Sequence, residues 1–228
     1  MNLSEVVGTH PIEGVGGVVL CGGHSERMGR PKLSLPFGDE LMLTRIVGLL
    51  SEVVSPVIVV AAQHQQLPAL GDGVIVVRDE RPDLGPLGGL AVGLAALQSQ
   101  VQAAFVTGCD CPLLQTAFVR HMVLSLGAHD LAIPRDGKYH HPLAGVYRTS
   151  LVGQAQQLIA AGRMRPLFLI EAADALEIDV EELRECDPQL HSLLNMNTPE
   201  QYQQALDIAG FSAGDPAPHT IDEKGDPV

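Results

Sequence analysis

Between residues 16 and 134 short apolar runs alternate with segments of helical period. GVVLC (17–21), PVIVVAA (56–62), GVIVV (73–77), AAFVTG (103–108) and DLAIP (130–134) are apolar on both faces. Strands read this way when helices cover both sides of a parallel sheet. The stretches 41–53, 88–99 and 116–126 place Leu, Val, Ile or Met at i, i+3, i+4 spacing, as in LTRIVGLLSEV, and are expected to be crossover helices. The pattern predicts an α/β fold, a three-layer sandwich around a mostly parallel central sheet.

Past residue 135 the pattern loosens. HHPLAGVY (140–147) alternates as a strand does, 149–161 has helical period, and RPLFLIEAADAL (165–176) reads as a short helix running into a strand. A final helix is expected to open with Thr198 as N-cap and Pro199 at the first helical position, and to stop at Gly210. Residues 211–228, FSAGDPAPHTIDEKGDPV, are rich in Gly, Pro and acids without any period, and are expected to form a disordered tail. With 1–14 read as an N-terminal extension, residues 15–210 form one domain.

Composition narrows the function. Of 228 residues 46% are hydrophobic, enough for a sizeable core, which excludes disorder throughout. Lys and Arg number 14 against 27 Asp and Glu, a net charge of −13, and aromatics are 4% with no Trp. Nucleic-acid binding draws on Lys and Arg at phosphates and on aromatic stacking, so nucleic acid is not expected as a partner. No stretch approaches the roughly 20 apolar residues of a membrane helix, and the N-terminus lacks a secretory pattern, so a cytoplasmic protein is expected. Cys21, Cys109, Cys111 and Cys186 match no zinc or redox spacing and are read as reduced, mostly buried residues.

The most informative segment is LCGGHSERMGRPK (20–32), directly after the first strand. Ligands of open α/β sheets bind at the carboxyl ends of strands, where a glycine-rich turn lets backbone N–H groups approach phosphates. Gly22, Gly23 and Gly29 supply that freedom, and Arg27, Arg30 and Lys32 cluster within six positions of an otherwise acidic chain. Local positive charge of this kind points to a specific anion site. The spacing fits neither a dinucleotide fingerprint nor a Walker loop.

GGxxxRMGxPK after a first hydrophobic strand resembles the signature loop of nucleotidyltransferases with a Rossmann-like fold. Four further segments resemble the molybdenum cofactor guanylyltransferase family: RDERPDLGPLGGLAVGL (78–94), FVTGCDCPLL (105–114), DGKYHHPLAGVYR (136–148) and LLNMNTPEQY (193–202). The matches are collinear over residues 17–206. Pro31 before Lys32 is more typical of cytidylyltransferases and sugar-nucleotide enzymes, whereas GPLGGL, HHPLAGVYR and NMNTPE favour the guanylyl type. A relative that binds cofactor without catalysis is the non-enzymatic alternative. The retained Arg27, Lys32 and Asp110 speak for catalysis.

The resemblance implies transfer of GMP from GTP to the phosphate of molybdopterin, with Mg2+ as cofactor. It implies Lys32 and Arg27 at the triphosphate and Asp110 at the magnesium ion. Base recognition would fall to Asp79 and to backbone atoms of Leu20, Cys21 and Gly22, and Gly23 would serve the nucleotide loop. His141, Arg148, Asn195 and Asn197 would contact the acceptor, with His140 beside them. From the residues alone, Asp110 equally suits a turn cap before Pro112, and the two asparagines equally suit a turn before the last helix. A zinc site built on CDC and the HH pair is disfavoured by its spacing.

Overall fold

The computed structural model describes residues 10–22 and 32–211. In chain order the elements are β1 (Val15–Leu20), β2 (Pro36–Phe37), β3 (Glu40–Leu41), α1 (Met42–Ser51), β4 (Val57–Ala62), β5 (Val74–Asp79), α2 (Gly85–Leu97), β6 (Ala103–Gly108) and α3 (Thr116–Ser125). They continue with β7 (Leu131–Asp136), β8 (Tyr139–His140), β9 (Ala144–Arg148), α4 (Val152–Ala160), α5 (Pro166–Ala172), β10 (Ala175–Asp179), α6 (Val180–Leu183) and α7 (Pro199–Ala209).

The main sheet runs in the order β10-β7-β9-β6-β1-β4-β5, with β8 paired to β7. The β10–β7, β6–β1, β1–β4 and β4–β5 pairs are parallel, while β9 runs antiparallel to both β6 and β7. This is the α/β sandwich that the apolar runs predict.

The strands are apolar on both faces because helices cover both. One core packs Val19, Val57 and Phe105 against α1 and α3, including Ile46 and Phe118. The other packs Val18, Ile58 and Ala104 against α2, α4 and α5, including Leu90, Ala155 and Leu169. Helix α2 lies so close to β1 that a Cβ on Gly93 would sit 2.5 Å from Val18 Cγ1. A third, smaller cluster joins the β2–β3 hairpin to α7 through Phe37, Met42, Met196 and Leu206.

Helix α7 begins and ends as its sequence predicts. Thr198 and Gln201 form a reciprocal capping box, Pro199 opens the helix, and Gly210 closes it with φ 77°.

Two boundaries shift. Phe211, placed in the expected tail, stacks edge-on against Phe37 with centroids 5.5 Å apart, and Arg45 lies over both rings. Ile12, placed in the N-terminal extension, bridges to Val54 and donates to Val53 O at 2.7 Å. Apolar packing sets these limits where composition alone had suggested others. Among the described residues no helix is long and apolar enough to cross a membrane.

Candidate functional site

At the carboxyl end of the parallel strands, β1 and β6 deliver two loops side by side. Cys109 N donates to Leu20 O at 3.0 Å, which continues the β1–β6 pairing one step past the strands. The loop after β6 carries Asp110. A side chain at Gly108 would put its Cβ 2.5 Å from Asp110 Oδ1, so the glycine makes room for the carboxylate. Arg45 Nε donates to Pro112 O at 2.9 Å, and Met196 N donates to Asp110 O at 2.8 Å, fixing the loop from both sides.

Lys32 opens a short 3-10 turn, Lys32–Ser34, whose Leu33 is buried in the core. That anchor sends the lysine ammonium into the same corner. Its Nζ lies 3.2 Å from Asp110 Oδ2 and donates to Asn197 Oδ1 at 2.7 Å. The side chains of Lys32 and Asp110 are 16% and 23% exposed, so the pair is partly buried while still reaching solvent.

Asn195 and Asn197 flank the buried Met196, which inserts under α7 while its neighbours face outward. The helix cap is supplied by Thr198, and the Asn197 side chain is given to Lys32. Asn195 Oδ1 accepts from the Cys111 thiol at 3.0 Å. Behind this segment Asp187, fully buried, accepts from Gln115 Nε2, His191 N and Ser192 N at 3.0, 3.0 and 2.7 Å. It shapes the turn leading to the asparagines. Its sequence context, an acid before Pro188, gave no sign of this.

The nucleotide-side residues lie along the same edge. Leu20 and Cys21 are buried at the end of β1, and among the described residues nothing lies within 4 Å of where a Cβ on Gly22 would sit. Asp79 ends β5, is 8% exposed, and accepts from Arg81 N at 2.8 Å. Since β5 lies three positions from β6, Asp79 and Asp110 are separated by three strand spacings, about 14 Å. Gly23, Arg27 and Arg30 lie outside the described residues.

Cys21 and Cys111 are neutral packing groups. The adjacent Cys109 thiol and burial push the Cys21 thiol far up, and burial does the same to Cys111. Cys186 is half-buried, with its thiol raised to about 11 mainly by burial.

On the acceptor side, His141 is half-buried near the start of β9, its N–H donating to Pro134 O at 3.0 Å, and burial holds its imidazole below the ordinary range. His140 Nε2 lies 3.3 Å from Glu177, which Arg135 also approaches at 3.2 Å. Arg148 lies away from this corner. Because β9 is antiparallel, its last residue pairs with Ala103 at the opposite edge of the sheet. There the guanidinium donates to Gly127 O at 2.6 Å and His129 O at 2.8 Å, tying the loop before β7 to β9.

Among the described residues no group of three or more His, Cys, Asp or Glu converges. The donor set beside Lys32, one carboxylate and an amide oxygen, is hard and sparse, which fits a small divalent cation that takes its remaining ligands from phosphate and water. A cation, a carboxylate and two amides at a glycine-rich strand end can bind and orient a polyphosphate.

The comparisons agree with this geometry. The family model described as the MobA-like NTP transferase domain matches residues 17–176. The chain is 40% identical over 173 residues to a probable molybdenum cofactor guanylyltransferase of Mycobacterium bovis BCG, covering 74% of this chain and 85% of the relative. In fold it is similar to molybdopterin-guanine dinucleotide biosynthesis protein A from Archaeoglobus fulgidus, with TM-score 0.70, 21% identity, and 86% and 98% of the two chains covered. It is also similar to a Mycobacterium tuberculosis H37Rv protein solved in complex with manganese, with TM-score 0.60, 20% identity, and 85% and 98% covered. Matched over most of its length by this family model and by the guanylyltransferase relative, the chain belongs to the MobA-like NTP transferase family and is a nucleotidyltransferase.

Proposed function

We propose that this nucleotidyltransferase acts in molybdenum cofactor biosynthesis, moving GMP from GTP to the phosphate of molybdopterin with release of pyrophosphate, in a Mg2+-dependent reaction. The observation that carries the reading is the convergence of Lys32, Asp110 and Asn197 at the end of β6. The name of the relative, a probable molybdenum cofactor guanylyltransferase, supports the guanylyl reading.

In the reaction an oxygen of the acceptor phosphate forms a bond to the α-phosphorus of GTP, and the α-phosphorus bond to the β-phosphate bridging oxygen breaks. The electron pair leaves with pyrophosphate. Such a transfer needs in-line positioning and charge stabilisation more than covalent help from the protein.

Lys32 meets the growing phosphoryl charge, exchanging its contact with Asp110 for one to phosphate oxygen. Asp110 holds the cation, with Asn197 beside it. Bound Mg2+ supplies charge neutralisation across the phosphates. Asp79 and the Leu20–Gly22 backbone read the base, a carboxylate being able to accept from the guanine N–H edge. His141 and Asn195 face the acceptor, and Arg27 and Gly23 belong to the triphosphate loop.

Calorimetry with GTP, CTP and ATP in the presence of Mg2+, followed by pyrophosphate release on adding molybdopterin, tests this. GTP is expected to bind tightest and to release pyrophosphate only with molybdopterin. Tighter binding of CTP would sink the guanylyl assignment, and GTP binding without turnover would leave a cofactor carrier.

A further inference from the structure

Strands β1 and β4 part at the base of the nucleotide loop in a way that regular pairing does not explain. Cys21 N donates to Val60 O at 2.8 Å, the last backbone link of this ladder. In a parallel ladder the next link would run from Ala62 N to Cys21 O. Instead Ala62 N donates to Gln65 Oε1 at 3.2 Å, and Gln65 Nε2 donates to Cys21 O at 2.8 Å. The side-chain amide has one acceptor and a donor in one plane, as a peptide group does, and here it replaces one between the strands. Of the common side chains, a carboxylate lacks the donor and an apolar chain lacks both.

The turn that presents Gln65 is itself clamped. Gln65 N donates to Ala62 O at 3.1 Å, and Arg78 Nη1 donates to Ala62 O at 3.0 Å and to Gln65 O at 2.6 Å. Arg78 stands next to Asp79, opposite Ala61 in the β4–β5 register. The amide is thus held from β4 and β5 while it grips β1.

The consequence lies in the peptide unit it grips. The Cys21 carbonyl and the Gly22 N–H belong to one planar trans peptide and point in opposite directions. Fixing the carbonyl toward β4 turns the Gly22 N–H away from β4, and among the described residues nothing lies within 4 Å of where a Cβ on Gly22 would sit. An N–H fixed in this way suits an acceptor on the base edge. Guanine presents the O6 acceptor where adenine and cytosine present amino donors.

We infer that Gln65 is a positioning residue for base selection, clamped by Arg78, which orients the Cys21–Gly22 peptide so that its N–H discriminates guanine from adenine and cytosine. The inference rests on the reading above that the Leu20–Gly22 backbone meets the base.

The test compares Gln65→Glu, Gln65→Met and Arg78→Met with the unmodified protein. Binding of GTP and ATP with Mg2+ is measured by calorimetry, together with binding of inorganic tripolyphosphate, which reports the phosphate site alone. Gln65→Glu, which sets an acceptor against the Cys21 carbonyl, is expected to weaken GTP about tenfold and to shrink the GTP-to-ATP preference by the same factor, with tripolyphosphate within about twofold. Gln65→Met is expected to follow it, and Arg78→Met to show a smaller loss of the same kind.

An unchanged GTP preference in variants that melt as the parent does would overturn the role of Gln65, as would equal weakening of GTP, ATP and tripolyphosphate. If the unmodified protein itself shows no preference for GTP, the functional reading falls, and this inference with it.

Discussion

Lys32 and Arg148 stand at opposite edges of the same sheet, and they differ in what holds them. Lys32 is held by the side chains of Asp110 and Asn197, groups that can let go when a phosphate or a cation arrives. Arg148 is held by the carbonyls of Gly127 and His129, backbone acceptors that would be left unpaired if it moved. We propose that the first arrangement is a charge kept ready for a ligand. The second is a staple between β9 and the loop before β7. The resemblance implies Lys32 at the triphosphate and Arg148 at the acceptor, and in the fold their partners differ.

The sharpest way to break this contrast acts on the lysine's partner. Asp110→Asn keeps the shape of the side chain but removes its charge. The Lys32–Asp110 pair is partly buried, so its loss is expected to lower stability somewhat, though far less than it lowers turnover. Turnover is expected to fall about a thousandfold, as when several kcal/mol of charge stabilisation are withdrawn. Pyrophosphate release and a thermal melt on the same preparation check this. A large drop in melting temperature with turnover intact would make Asp110 a structural residue like Arg148.

A smaller effect concerns His141. Burial lowers its folded-state pKa, partly opposed by Asp136 and reinforced by His140. The unfolded chain then takes up the proton first as pH falls. The stability His141 contributes is therefore complete above its ordinary pKa of 6.5 and is lost as pH falls through the lower folded value. His141→Gln is expected to lose less melting temperature between pH 7.5 and 5.5 than the parent does. Equal losses would remove His141 from the acid response.

Much of the architecture was legible because strands buried on both faces leave continuous apolar runs, and the ends of α7 carry the chemistry of caps. Strand direction was not. HHPLAGVYR alternates as any strand does, and nothing in it says that β9 runs against its neighbours, which is what carries Arg148 to the far edge. Phe211 lay hidden because its neighbours Ser212, Gly214 and Pro216 have the composition of a tail, while its own ring fills a place against Phe37 and Gly38.

In the candidate site the motif residues Lys32 and Asp110 could be named, since glycine, cation and acid at strand ends advertise phosphate chemistry. Their supports could not. Gln65 sits among Gln63 and Gln66 in a polar turn, and its exchange for a backbone link appears only when Cys21, Val60 and Ala62 are seen together. Asp187 likewise acts through contacts 72 and five residues away, with Gln115 and Ser192.

The contrast between the two edges is most directly tested by pyrophosphate release from GTP and molybdopterin, with Mg2+, in Lys32→Met and Arg148→Met measured side by side. The account predicts a turnover loss of about a hundredfold or more for Lys32→Met. For Arg148→Met it predicts parental turnover with a lowered melting temperature. Parental turnover in Lys32→Met, or a comparable loss of turnover in a folded Arg148→Met, would contradict it.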